Sequence, residues 1–522
     1  MASNKIVSLV TFLSIGIFHN LSLARADEGA EKAMHDCDML AATSADLSKP
    51  ADAPNIDFDN IDAPKAITAC DAALKLNPES ARMSFELGRA FDKAEKYSQA
   101  IPNYEKAVKL GYALAMHNLG KFYENGSGVI KDMEKAMGLY KQAADLGNTD
   151  AMNDVGWGYD HGLGLEQNNE KATEWFRKAA ELGNAIGMDN LAIAYENGRG
   201  VEANMPKAIE WYQKSADGGN SDAMTSLGKD YLLGTGVDKN ATKAAELFQK
   251  AGDSKNTDAL NYLSAMYEQG DLGAIDHVKS AEFMLKSAML GNGAALGEMG
   301  VKYIEGNGVD KNPSKAIEMF KKGADVNDDG ALFNLGLSYE KGEGVAVDEK
   351  KAVEYYQRAA DLGMQNAMVN LGSLYSGGAG VTQDQKKATE LYQKAADLGN
   401  TTAMYNLGHM YLTGAQGKKN AALAAQWFRK SADGGYDVGM FQIGTMYAEG
   451  TGVKKDTSKA FEWYVKAANL GSIDAMVNLG YDYIYGEGVK KDRNEGVEFL
   501  KKASDGGSAI AKQNLKKMGI KY

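Results

Sequence analysis

Small, apolar and polar positions repeat along this chain with a period of 36 residues. A small residue stands at Ala115, Ala151, Gly187, Ala223, Ala259, Ala295, Ala331, Ala367, Ala403, Gly439, Ala475 and Ala511, and eight places after each of the first eleven comes a tyrosine, from Tyr123 to Tyr483. Apolar residues fill the places one and four after the anchor, as at Met116 and Leu119. Positions +1, +4 and +8 share one face of a helix, so the pattern predicts a first helix, A, in every unit. Position +11 is always glycine, from Gly126 to Gly486, and usually opens Gly-x-Gly-Val, which stops helix A and turns the chain. Position +17 is only Asp or Asn, from Asp132 to Asp492, the residue types that cap a second helix, B. Helix B carries Lys-Ala, an aromatic pair and Lys-Ala-Ala, seen as Lys171, Ala172, Trp175, Phe176, Lys178, Ala179 and Ala180. Its alanines permit close approach and its rings fill the remaining space. A two-helix unit of this size buries too little to stand alone, so neighbours must stack into a continuous core.

These residues resemble the Sel-1-like repeat, whose hallmark is A-x-x-x-L-G-x-x-Y-x-x-G-x-G-V, then D-x-x-K-A, an aromatic pair and K-A-A-x-x-G. Ala151 through Gly183 carry it in the second unit, and eleven units occupy 112–507. The resemblance implies an all-α fold, a right-handed α-solenoid of antiparallel helix pairs, and a role in binding other proteins. Upstream, Leu87, Gly88, Phe91, Ala100, Tyr104 and Ala107 have the spacing of a tetratricopeptide repeat, with Ala66, Cys70, Ala73 and Pro78 in the preceding second helix, so 63–111 reads as a tetratricopeptide-like region. Residues 508–522 keep Ala511 and Leu515 but place Lys516 and Gly519 where the repeats have glycine and tyrosine, which reads as a capping helix. The fifth and ninth units disturb Gly-x-Gly-Val after Gly270 and Gly414, predicting local kinks or changes of pitch.

Lys5, the apolar stretch from Ile6 to Phe18 and the triplet Ala24, Arg25, Ala26 predict a secretory signal over 1–26, with an uncleaved anchor as the rival reading. Removal leaves an N-terminal helix and linker over 27–62, and loss of Lys5 and Arg25 takes the net charge from −12 to −14. No basic block offsets this acidity, which excludes a nucleic-acid partner, and no later segment is apolar enough to span a bilayer. A secreted or periplasmic location follows. There, Cys37 and Cys70, the two cysteines, are expected to form a disulfide.

Catalytic patterns are missing: no HExxH, GxSxG or Walker loop occurs, and His117, His161, His277 and His409 fall at four different repeat positions. The expectation is no catalytic residue, no metal and no cofactor. One Ser-x-x-Lys string, Ser338 to Lys341, supports an alternative as a penicillin-binding or β-lactamase-like enzyme, though it lacks the companion motifs. Positions +3, +6 and +10 lie opposite the core stripe, on the surface that in the resembled architectures lines the concave groove. Position +6 varies freely, including Trp157 and Tyr481, while +3 is mostly asparagine: Asn118, Asn190, Asn334, Asn370, Asn406 and Asn478. Carboxamides both donate and accept, so this ladder can hold the backbone of an extended peptide; alternatively each asparagine bonds a carbonyl in its neighbouring repeat. The reading is a protein or extended-peptide scaffold in the bacterial cell envelope. An endoplasmic-reticulum adaptor is the other alternative, in which the sequons at Asn125, Asn240 and Asn400 would matter.

Overall fold

The computed structural model describes residues 28–415 and 417–520, so the expected signal segment 1–26 lies outside the described residues. Among the described residues there are 27 α-helices, one 3-10 turn at Phe58–Asn60 and no strand. Helix α1 covers residues 28–41 and α2 covers Ala63–Leu76; from α3 (Ala81–Lys93) to α26 (Arg493–Asp505) every helix has 13 residues, and α27 (Ala509–Lys517) has 9. Short connections make consecutive helices antiparallel neighbours. The chain divides into two compact units, one ending at Ala259 and one beginning at Leu260. Each is an all-α stack of helix pairs.

Local chemistry sets the helix ends. In the first 36-residue unit, α5 (Ala113–Asn125) stops at Gly126, whose φ of +78° is a conformation glycine adopts without cost. The chain then returns so that Asp132 donates its backbone N–H to the Tyr123 carbonyl at 2.8 Å, while its carboxylate accepts from Lys135 N at 2.9 Å to start α6 (Met133–Asp145). Every later unit repeats this pair of bonds, through Asn240 and Asn420 to Asp492. The Lys ammonium three residues past the cap turns back over the helix-A tyrosine, 4.0 Å from the ring centre for Lys135 on Tyr123 and 4.3 Å for Lys387 on Tyr375. In the fifth and ninth units Gly273 and Gly417 take φ near +125° and +127°, yet the N-caps Asp276 and Asn420 stay in phase. The expected irregularity is thus taken up inside the loop.

Packing explains the glycine that stands at +5 of helix A in nine of the eleven units. A Cβ on Gly156 would lie 2.6 Å from the ring of Phe176, and one on Gly336 would lie 2.7 Å from that of Tyr356. Absence of the side chain lets helix B lay its ring directly on helix A. The fully buried Tyr140, Tyr212, Phe248, Phe320, Tyr356 and Phe428 occupy this +25 position. At the N-terminal end the disulfide between Cys37 and Cys70, both fully buried, ties α1 to α2. Arg89 donates to the carbonyls of Ala41 and Ile56 and pins the connecting segment.

Candidate partner-binding face

The eight residues expected to bind a partner fall into two groups. In the first unit Asn118 sits on α5, Trp157 on α7 (Thr149–His161) and Asn190 on α9 (Ala185–Asn197). In the second, Asn334 sits on α17 (Asp329–Lys341), Asn370 on α19 (Gln365–Gly377), Asn406 on α21 (Thr401–Thr413), and Asn478 and Tyr481 on α25 (Ile473–Tyr485). All six asparagines are half-buried, and Trp157 is 43 % exposed, its ring stacked on His161 at 3.7 Å.

Four of the six asparagines, Asn118, Asn190, Asn370 and Asn478, engage the preceding helix pair, through side-chain groups and not its carbonyls. Asn370 donates its Nδ2 to the Tyr356 hydroxyl at 3.1 Å, and that hydroxyl donates to Glu340 at 2.6 Å, so the chain of donors fixes which end of the carboxamide faces inward. Asn118 does the same to Tyr104 at 3.4 Å, and Tyr464 is hydrogen-bonded to Asn478. Asn190 donates to Asn153 Oδ1 at 2.8 Å. Its counterpart one repeat earlier, Asp154, pairs with His117 at 2.8 Å. With the amide nitrogen committed sideways, the carbonyl oxygen of each such asparagine is left as the acceptor of its side chain. Asn334 follows Phe320, which offers no hydroxyl.

In the first unit a cavity of about 350 Å³ opens beside this row, lined among others by Phe85, Arg89, Asp92, His117, Asn118 and Lys121. Further along, buried acids appear that sequence reading missed. Asp189, on α9, is 8 % exposed with Oδ1 unpaired; burial, then Asp222 and Glu196, push its carboxyl up to about 7. Asp230, on α11 (Ser221–Leu233), is 6 % exposed with Oδ2 unpaired, and burial followed by Glu196 raises it to about 7, against a lowering by Lys229. The available signal was an acid at +2 and at +7, positions whose side chains face the wall of the stack.

A carboxyl whose folded pKa is raised binds its proton more tightly in the native state, so it costs stability once pH passes its unfolded value near 4, and the cost is complete by about 7. The double variant Asp189→Asn, Asp230→Asn should therefore have a urea midpoint that falls less than the wild type's between pH 4 and pH 7.5. Equal falls would mean that neither acid is desolvated.

Three further expectations bear on chemistry. Ser338 is 4 % exposed and its hydroxyl donates to the Asn334 carbonyl at 2.8 Å, the setting of a structural serine on a helix. Cys37, Cys70 and Glu86 form the one cluster of potential metal-ligating groups among the described residues, and both sulfurs are held in the disulfide. No described helix is long and apolar enough to cross a membrane.

A family model described as the Sel1 repeat matches eleven consecutive segments, from 113–148 to 473–508, and a tetratricopeptide-repeat model matches 58–111. No curated protein matches the chain. Among solved structures it is similar to a protective antigen of uropathogenic Escherichia coli that displays an SLR fold, at 30 % identity and a TM-score of 0.60, covering 80 % of this chain and 90 % of that one. It is also similar to a Sel1 repeat protein from Oxalobacter formigenes, at 28 % identity and a TM-score of 0.51, covering 59 % and 90 %.

Proposed function

The chain belongs to the Sel1 repeat family, and from that premise we propose that it is a non-catalytic scaffold that captures a partner polypeptide on its helix-A face in the bacterial envelope or outside the cell. One observation carries this reading: within a frame whose core letters recur every 36 residues, position +6 is exposed or half-buried and changes freely, from Lys121 and Trp157 to Leu337, His409 and Tyr481. Fixed packing with variable surface chemistry is what partner reading requires. The acceptor row of asparagine carbonyls beside it supplies sequence-independent bonds to the N–H groups of an extended chain. The buried disulfide suits an oxidising compartment, and the relative from uropathogenic Escherichia coli is an antigen.

Retention of a degenerate ten-residue peptide library on the immobilised chain tests the assignment of the face. The Trp157→Ala variant should retain about tenfold less, the weight of a large aromatic anchor. Asn370→Ala with Asn406→Ala should also weaken retention, at a stability cost of about 1 kcal/mol for the lost Tyr356 bond. Unchanged retention by both variants, with folding intact, would move binding to another surface.

A further inference from the structure

The fifth repeat breaks the packing rule of the other units at several places at once. Where ten units have glycine or alanine at +5, it has Ser264; where all others have alanine or glycine at +21, it has Ser280; and where nine have an aromatic ring at +25, it has Met284. The next helix A adds Glu298 at +3, in place of the usual asparagine, and Lys302 at +7. These five residues converge. They lie on α13 (Thr257–Gln269), α14 (His277–Met289) and α15 (Gly293–Glu305), and they line one cavity of about 240 Å³ together with Asn261 and Ala265. The missing ring is what opens the space, and the substitutions that surround it are polar.

The inventory of groups defines what could enter. Lys302 is committed to Glu268 at 2.8 Å, and Glu268 also accepts from Asn307 at 3.0 Å and meets His277 Nδ1 at 2.8 Å. Burial alone would raise Glu268, but the bonds from Lys302, Ser280 and Asn307 hold it down at about 2, so this network is internally neutralised. Glu298 is left without an ion-pair partner among the described residues. It stands exposed at the rim; desolvation of its carboxyl raises its pKa, Lys302 opposes this, and Asp328 and Glu268 add to it. Asn261 Oδ1 is buried with no partner. The Ser264 hydroxyl gives its proton to the Ser280 carbonyl at 2.9 Å and keeps lone pairs to accept. The cavity thus presents a carboxylate and two neutral acceptors around an apolar wall of Met284 and Ala265.

We infer that the cavity between α13, α14 and α15 is a receptor for a primary ammonium group, the lysine side chain of a bound polypeptide. The aliphatic stem of lysine lies along Met284 and Ala265 while its three N–H donors meet Glu298, Asn261 and Ser264. A compact ammonium suits acceptors set on three sides, whereas the planar guanidinium of arginine, paired in plane with both oxygens of Glu298, would leave Asn261 Oδ1 and the Ser264 hydroxyl unmet. The inference deepens the polypeptide-binding reading and rests on it for the source of the lysine. A small probe separates the two.

Full-length protein labelled at methionine methyl groups is titrated with Nα-acetyl-lysine methylamide and followed at the Met284 methyl resonance. The lysine amide should bind at least tenfold more tightly than the norleucine amide, the weight of a charge-assisted bond, and more tightly than the arginine amide. Glu298→Gln should reduce that preference about tenfold. Ser264→Gly with Met284→Phe restores the pair used by four of the other repeats, fills the cavity and should abolish binding while thermal stability is kept or raised. Equal binding of lysine and norleucine amides, tighter binding of arginine amide, or unchanged binding to the filled variant would overturn the inference. Capture of peptides without any lysine preference would leave the scaffold reading standing and sink this one.

Discussion

Replacing Gly308 by alanine is expected to cost the second unit about 4 kcal/mol. Gly308 is the second glycine of its Gly-x-Gly turn, with φ at +72°. A Cβ there would collide with the carbonyl oxygen of His277 in the preceding repeat and lie 2.5 Å from its carbonyl carbon. Two costs therefore add. A left-handed backbone on an L-residue takes roughly 1–2 kcal/mol, and crowding a backbone that cannot rotate away takes about 1–3 more. Gly291 is the matched control: its φ is +89°, but nothing lies within 4 Å of its notional Cβ. Gly291→Ala should thus cost only about 1 kcal/mol, the conformational part alone. Urea titration of both variants measures the difference. Equal losses would mean that the second glycine serves only its turn and does not seat one repeat on the next.

Loss of the disulfide is the other large effect. Cys37 and Cys70 are 33 residues apart, and in the chain-entropy model a loop of that length stabilises by about 4 kcal/mol. Stability in a stack passes between nearest neighbours, so the loss should stay local. In the Cys37→Ala, Cys70→Ala double variant, hydrogen exchange should rise over 28–76, where the disulfide joins α1 to α2, and stay unchanged over 113–253. Glu86, facing Cys37 Sγ at 3.0 Å, is pushed up to about 9, first by burial and then by Asp38, so the N-terminal core contains a carboxyl that opposes ionisation. Uniform loss of protection along the first unit would contradict a local role.

Most of the fold was legible because the features that set it are local and repeated. A glycine at +11 stops a helix and an Asp or Asn at +17 starts the next, whatever the neighbours do, and α5 ends and α6 begins where those residues stand. The candidate face was legible only in part. That position +3 lies opposite the +1, +4, +8 stripe follows from helix geometry, but that the Asn370 amide turns to Tyr356 depends on a hydroxyl from another helix. The burial of Asp189 and Asp230 was hidden for a similar reason, since the +1, +4, +8 stripe underestimates a helix packed on two sides. The cavity by Met284 needed one fact from the structure, that +5 touches +25. Given that contact, the serines of the fifth repeat mark it in the sequence.

Site-directed photo-crosslinking in the producing cell tests the binding face most directly. Leu337, at position +6 of α17, and Glu354, exposed on α18 (Glu349–Asp361), lie on the two helices of one repeat. With a photoreactive residue at each in turn, position 337 should yield a discrete covalent adduct with another polypeptide and position 354 none. An adduct from 354 and none from 337 would place the partner on the B helices and contradict the account.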